Sequence, residues 1–289
     1  MNGQATYHGL YINLDRSNER RERFDRQLEA LGLAEIYARF PAIDGSKLNT
    51  ARTSLPPGET GCFFSHVRAL ETARLRALPV HILEDDALLS EHVRPVIEDA
   101  IAGHLFDRFD LIFTDTFVNC HLGMLKSMKS AFDQSASREE RPFRLNDLQV
   151  IDLAQQNFAC LTSYVVGVRS IDKILSLYQQ QIAAGLNTPV DLFIRDAVHA
   201  GKLRAACLFP FITSFSLEEV RESTLHEKNE KPSVMVLAVL RHSFFVDRDL
   251  NAAKRYLDAA TARPRANDAH HDLIVQALDF VVSDDFKEF

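Results

Sequence analysis

The chain has 289 residues, 46% of them hydrophobic and 25% charged, a composition that suits a soluble globular protein with a substantial core. A net charge of -7 argues against a general nucleic-acid binder and leaves only a local basic patch for an anionic partner. The polar start from Met1 to His8 is unlike a signal peptide, and no apolar run is long enough to cross a bilayer, so a soluble or peripheral protein is expected.

Tyr7 to Leu14 alternates and is rich in β-formers, which predicts a first strand. It runs into Asn13-Leu14-Asp15-Arg16 and then a helix, capped by Ser17, with Phe24, Leu28 and Leu31 on one face and Gly32 closing it. Asn13, Asp15, Arg16, Arg20 and Arg21 gather at this junction. They read either as an anion site at a helix N-terminus or as a solvated first turn. Ile36 to Phe40 is a second candidate strand, and Asp44-Gly45 marks a turn. The next helix starts in the glycine-containing stretch from Pro57 to His66 and carries Phe63, Val67, Leu70, Ala73 and Ala77 on its apolar face, with His66 expected to point away from that face. Glycines at its start allow close approach of the backbone to a ligand.

Val80-His81-Ile82-Leu83 is a short apolar run that ends at Glu84-Asp85-Asp86, the pattern of a buried strand with carboxylates at its carboxyl end. Open α/β sheets form their ligand crevice there. Neither Lys nor Arg lies within five residues of the triplet, so its mutual repulsion calls for a cation, and hard oxygen ligands suit Mg²⁺ or Mn²⁺. The alternative is an acidic cap or a solvated loop.

Val93 to Leu105 then reads as a helix ending near Gly103, and Phe109 to Asp115 as a strand that also ends in a carboxylate. The alternation of strands and helices predicts a parallel or mixed sheet. Asn119 to Leu145 is polar and holds Lys126, Lys129, Arg138, Arg141 and Arg144. It is a lid over an anionic substrate or a solvated surface loop. Cys160 to Val168 is a further strand, Ser170 to Ala184 a helix, Leu192 to Ala200 another with Asp191 as its cap, and Leu203 to Phe215 the closing strand or strands, broken at Pro210. Beyond a charged linker from Glu218 to Lys231, helices are expected over Val234 to Val246, Leu250 to Thr261 and Asp268 to Val282, forming a cap on the domain or an oligomerisation element. Cys62, Cys120, Cys160 and Cys207 show no paired spacing that would suggest a zinc site, and Cys62 reads as a small core residue.

Individually these signals are moderate, but their order is specific. Tyr11-Ile12-Asn13-Leu14-Asp15-Arg16, Ala42-Ile43-Asp44-Gly45, Gly58-Glu59-Thr60-Gly61-Cys62-Phe63-Phe64-Ser65-His66, Leu83-Glu84-Asp85-Asp86-Ala87 and Thr188-Pro189-Val190-Asp191 together resemble glycosyltransferase family 25. The resemblance spans roughly Tyr7 to Arg221 and leaves the C-terminal helices uncovered. It implies an α/β, GT-A-like nucleotide-sugar-binding mixed sheet flanked by helices over residues 1–225, to which the helical pattern adds a small extension over 226–289. It further implies inverting transfer of galactose or glucose from a UDP-sugar to a saccharide or lipid-linked saccharide such as lipooligosaccharide, at the cytoplasmic face of a membrane. By carry-over, Glu84 and Asp86 hold Mn²⁺ or Mg²⁺, and Asn13, Leu14, Arg16, Gly61, His66 and Asp85 line the donor. Asp191, or secondly Asp115, takes the proton from the acceptor hydroxyl. Two other classes stay open: a non-catalytic nucleotide-sugar-binding or scaffold protein that recruits a partner through its helical tail, and a metal-dependent phosphohydrolase.

Overall fold

The computed structural model describes residues 5–48, 53–118, 143–217, 238–239, 241–249, 251–253 and 255–256. Along the chain run β1 (His8–Asn13), α1 (Asn18–Ala30), β2 (Tyr37–Pro41), α2 (Pro57–Arg74), β3 (Val80–Glu84), β4 (Ala87–Leu89), α3 (Val93–Ala102), α4 (Leu105–Arg108), β5 (Leu111–Val118), β6 (Gln149–Asp152), β7 (Phe158–Val166), α5 (Ile171–Ala184), α6 (Val190–His199), β8 (Ala205–Phe209) and β9 (Thr213–Phe215). A seven-stranded sheet has the order β2-β1-β3-β7-β5-β8-β6, and β4 and β9 form a separate ribbon. In the sheet, β2, β1, β3, β5 and β8 point one way while β7 and β6 run against them. This is the expected mixed α/β sheet, mostly parallel and flanked by helices.

Side-chain alternation explains how one sheet carries two cores. Ile82, Leu111, Phe113, Tyr164 and Val166 face α2, α5 and α6, packing against Phe63, Leu70, Ile174 and Ile194. Leu83, Ile112 and Val165, on the opposite pleat, face α1 and α3 and meet Phe24, Leu28, Val93 and Ile97. Among these, Phe63, Ile82, Leu83, Leu111 and Phe113 are fully enclosed, which places the core directly beneath the carboxyl ends of β1 and β3. With both faces covered, the central strands are near-continuous apolar runs, as a buried sheet requires.

The β4–β9 ribbon fixes the turn after β3. Ala87, Leu88 and Leu89 pair with Phe215, Ser214 and Thr213, and Ser216 N donates to Asp86 O at 3.0 Å. The acid run is therefore held between a sheet strand and a ribbon. Neither β4 nor β6 was expected from sequence; at three and four residues they are too short to show periodicity.

The described part of the C-terminal region packs onto this framework. Phe211 N donates to Phe244 O and Val246 N to Phe211 O, both at 3.0 Å, and the Phe244 ring lies 5.3 Å from that of Phe209. Residues 238–239, 241–243, 251–253 and 255–256 are helical, in line with the first two expected C-terminal helices; the third, from Asp268 to Val282, lies outside the described residues. So do Lys126, Lys129, Arg138 and Arg141 of the basic stretch, whereas Arg144 is bound to Asp99 of α3.

Candidate functional site

Strand order brings the β1–α1 loop, the Asp44 turn, the start of α2 and the β3 acid run to one edge. Together they line a cleft of about 370 Å³, a volume suited to a small organic ligand. Leu14, Arg16, His66, Glu84, Asp85 and Asp86, all singled out from sequence, lie on its wall with Arg20, Asp44 and Cys62.

The middle acid is a clasp. Asp85 accepts from Asn13 Nδ2 at 2.7 Å and from Arg20 Nη1 at 3.0 Å, so it stitches the turn after β3 to the loop after β1. Burial raises its carboxyl above the ordinary range, more than the Arg20 charge and these hydrogen bonds lower it. Asn13 is buried beneath the wall and in turn accepts from Arg39 Nε at 2.8 Å. Arg16 pairs with Asp44 at 2.5 Å, and Asp44 also accepts from Ser46 N and Oγ. The Ser46 hydrogen bonds, with Arg16, hold the Asp44 carboxyl below its usual range. The fold thus supplies Asp85 with a counter-charge, Arg20, that is remote in sequence.

Glu84 has a different environment. Its Oε1 lies 3.3 Å from His66 Nε2 and 3.7 Å from Cys62 Sγ. Burial disfavours the carboxylate, but the His66 hydrogen bond and charge, with Arg241 beyond, outweigh it and keep Glu84 below the usual carboxylate range. His66, expected to point away from the apolar face of α2, is nonetheless 1% exposed, with Nδ1 at 2.9 Å from the Tyr164 hydroxyl. The apolar stripe misses this because α2 is enclosed on more than one side, by the sheet and by the Ile43–Ser46 turn, and Ser65 and Thr60 are buried as well. Cys62 packs against the core, as expected, but is only half-buried and also lines the cleft, its thiol pushed up by burial and then by Glu84, Asp191 and Asp86.

Gly61 serves the protein's own backbone. A Cβ on it would meet Ile43 O at 2.6 Å and Gly45 N at 2.7 Å, and one on Gly45 would sit 1.7 Å from Pro57 O. The glycines press the Asp44 turn onto the first turn of α2 and so shape the cleft, whereas the sequence suggested approach to a ligand.

The two candidates for proton acceptance sit apart from this wall. Asp191, in the first turn of α6, accepts from Cys160 N at 3.0 Å and Leu192 N at 2.8 Å, tying β7 to α6; Pro189 is the helix cap in its place. Asp115 is fully buried and takes two 2.5 Å hydrogen bonds from Arg241 Nε and Nη2. Both of its oxygens accept from Arg241, as both of Asp191's accept from backbone N–H groups. Burial disfavours the Arg241 cation, yet Asp115, Cys160 and Asp86 hold it well above the ordinary range. Arg241 escaped the sequence reading because its partner lies 126 residues away and no local pattern announces it.

A mixed, mostly parallel sheet whose acidic strand end opens on a cleft lined by the β1–α1 loop is a GT-A-like architecture. The family model described as Glycosyltransferase family 25 (LPS biosynthesis protein) matches residues 7–194, and the chain belongs to that family. A protein of Drosophila pseudoobscura pseudoobscura named Glycosyltransferase 25 family member is 33% identical over 106 residues, 30% of this chain and 17% of its own length. Proteins of the same name from Drosophila melanogaster and Anopheles gambiae are 32% identical over 102 residues and 33% over 98, covering 29% and 27% of this chain. The matched region is 16% of the length of each of these two relatives.

Proposed function

We propose that the chain is a metal-dependent, inverting hexosyltransferase that moves galactose or glucose from a UDP-sugar to a saccharide or lipid-linked saccharide acceptor. The observation that carries this reading is the convergence of Glu84 and Asp86 with Arg16 and Arg20 on one cleft at the carboxyl ends of β1 and β3. Family membership supports it. The donor chemistry fits a hard divalent cation: Glu84 and Asp86 are carboxylate residues of the cleft wall, while Asp85 is turned into the clasp with Asn13 and Arg20. Mn²⁺ or Mg²⁺ held by Glu84 and Asp86 would neutralise the negative charge that develops on the departing diphosphate.

The protein's own groups have separable tasks. Arg16 and Arg20, held in place by Asp44 and Asp85, are the guanidinium groups on the wall that a diphosphate would follow. Leu14 and Ile12 give that wall an apolar stretch against which a base or sugar ring can pack. Asp191 remains the candidate to accept the proton of the acceptor hydroxyl. Among the described residues no helix is long and apolar enough to cross a membrane. We place the enzyme at the cytoplasmic face of a membrane, as a peripheral protein.

The test is slow hydrolysis of UDP-galactose and UDP-glucose without acceptor, with and without Mn²⁺, for the native chain and Asp86→Ala. Metal-dependent UDP release that the variant loses while keeping its circular dichroism spectrum is the expected result. No UDP release from either donor, together with no calorimetric binding of either, would overturn the assignment.

A further inference from the structure

Cys62 and His66 are four residues apart on α2, so both project from one face of the helix. Opposite them Glu84 ends β3, and one ligand atom from each of the three lies within 4.8 Å of the other two. The separations are informative. Zinc bonds of about 2.3 Å to sulfur and about 2.0 to 2.1 Å to nitrogen and oxygen, opened at tetrahedral angles, place S and O about 3.5 Å apart and N and O about 3.3 Å apart. In the protein Cys62 Sγ is 3.7 Å and His66 Nε2 3.3 Å from Glu84 Oε1.

The surroundings also suit a ligand set. His66 Nδ1 is held at 2.9 Å by the hydroxyl of the buried Tyr164, an outer partner that fixes the ring and, by accepting the Nδ1 proton, leaves Nε2 to bind. All three ligand residues line the cleft, which leaves a coordination position open toward it. A thiolate, an imidazole and a carboxylate select a borderline-soft ion such as zinc over magnesium or manganese.

We propose that Cys62, His66 and Glu84 form a zinc-binding site, different in ligand chemistry from the oxygen site of Glu84 and Asp86. On binding, the Cys62 S–H bond breaks, the S–Zn bond forms and the proton leaves to solvent. Because the two sites share Glu84, zinc displaces the hard cation and inhibits transfer; that consequence rests on the transferase reading, whereas zinc binding itself does not.

The full chain, stripped with a chelator, is titrated with Co²⁺ as a spectroscopic stand-in for zinc, and zinc is then used to displace it. The expected result is a saturable thiolate-to-cobalt charge-transfer band with intense four-coordinate visible bands, reversed by zinc. Cys62→Ser loses the charge-transfer band while Cys160→Ser keeps it. Tyr164→Phe retains the band but weakens zinc about 10- to 100-fold. A native chain without the band, or a band that persists in Cys62→Ser, overturns the proposal. Should the cobalt spectrum appear while no metal supports UDP release, the zinc site stands and the transferase reading falls; zinc inhibition of UDP release that Cys62→Ser relieves supports both.

Discussion

Replacing Arg241 with Met leaves the Asp115 carboxylate enclosed with nothing to balance it. Asp115 is fully buried, Arg241 is 7% exposed, and two 2.5 Å hydrogen bonds join them. At an effective dielectric of about 20, unit charges about 4 Å apart attract by about 4 kcal/mol, and removing one partner of a buried pair costs about 3 to 5 kcal/mol. Arg241→Met should therefore lower the unfolding free energy by about that amount. Asp115→Asn with Arg241→Met should recover most of the loss, because neither charge is then left stranded. Urea denaturation followed by far-ultraviolet circular dichroism, run on both single variants and the double variant, measures the coupling directly. An Arg241→Met midpoint matching the native one, at unchanged slope, would refute the buried pair and with it the docking of residues 241–249 on the sheet.

Acid should destabilise the fold through His81, which is fully buried between Tyr37 and Ser163 and whose pKa is lowered by burial from 6.5 to about 3. Between those values the unfolded chain binds the proton and the folded chain does not, so stability falls as pH falls. At about pH 5 the loss from this group is about 2 kcal/mol, and a His81→Gln variant should lack it in paired urea titrations at about pH 7 and about pH 5. Equal pH dependence in the two proteins would contradict this. Gly61→Ala forces a methyl against Ile43 O and Gly45 N, and should cost about 1 to 3 kcal/mol and weaken calorimetric binding of UDP-sugar. Arg144→Ala removes only an exposed pair with Asp99 and should change stability by less than about 1 kcal/mol; a larger change in urea midpoint would assign Arg144 a buried role.

The framework was legible where burial is continuous. Val80 to Leu83 reads as an enclosed strand because both pleats face helices, and the acids that follow it lie on the cleft wall as expected. Leu14 and Arg16 lie on the same wall, where the family resemblance implied they would. What escaped the reading involves partners brought together only by the sheet. Asp85 has no cation near it in sequence, yet Arg20 and Asn13 reach it across 65 and 72 residues. Cysteine spacing alone hides Cys62, whose companions are a histidine one turn away and a glutamate on another element. A helical stripe turns His66 away from the one apolar face it counts and cannot see the polar partners, Tyr164 on β7 and Glu84 on β3, that enclose it.

The distance in sequence between Asp115 and Arg241 also bears on how the chain is made. When β5 has left the ribosome, the carboxylate at its centre has no counter-ion, and burying it early would carry the full penalty of an isolated charge. Closing the sheet over that position before residues 241–249 have been synthesised and have reached Phe209 and Phe211 carries the same cost of about 3 to 5 kcal/mol as removing Arg241. A nascent chain ending before that segment should hold its β5 region closed less firmly than the full chain and present it to chaperones more often.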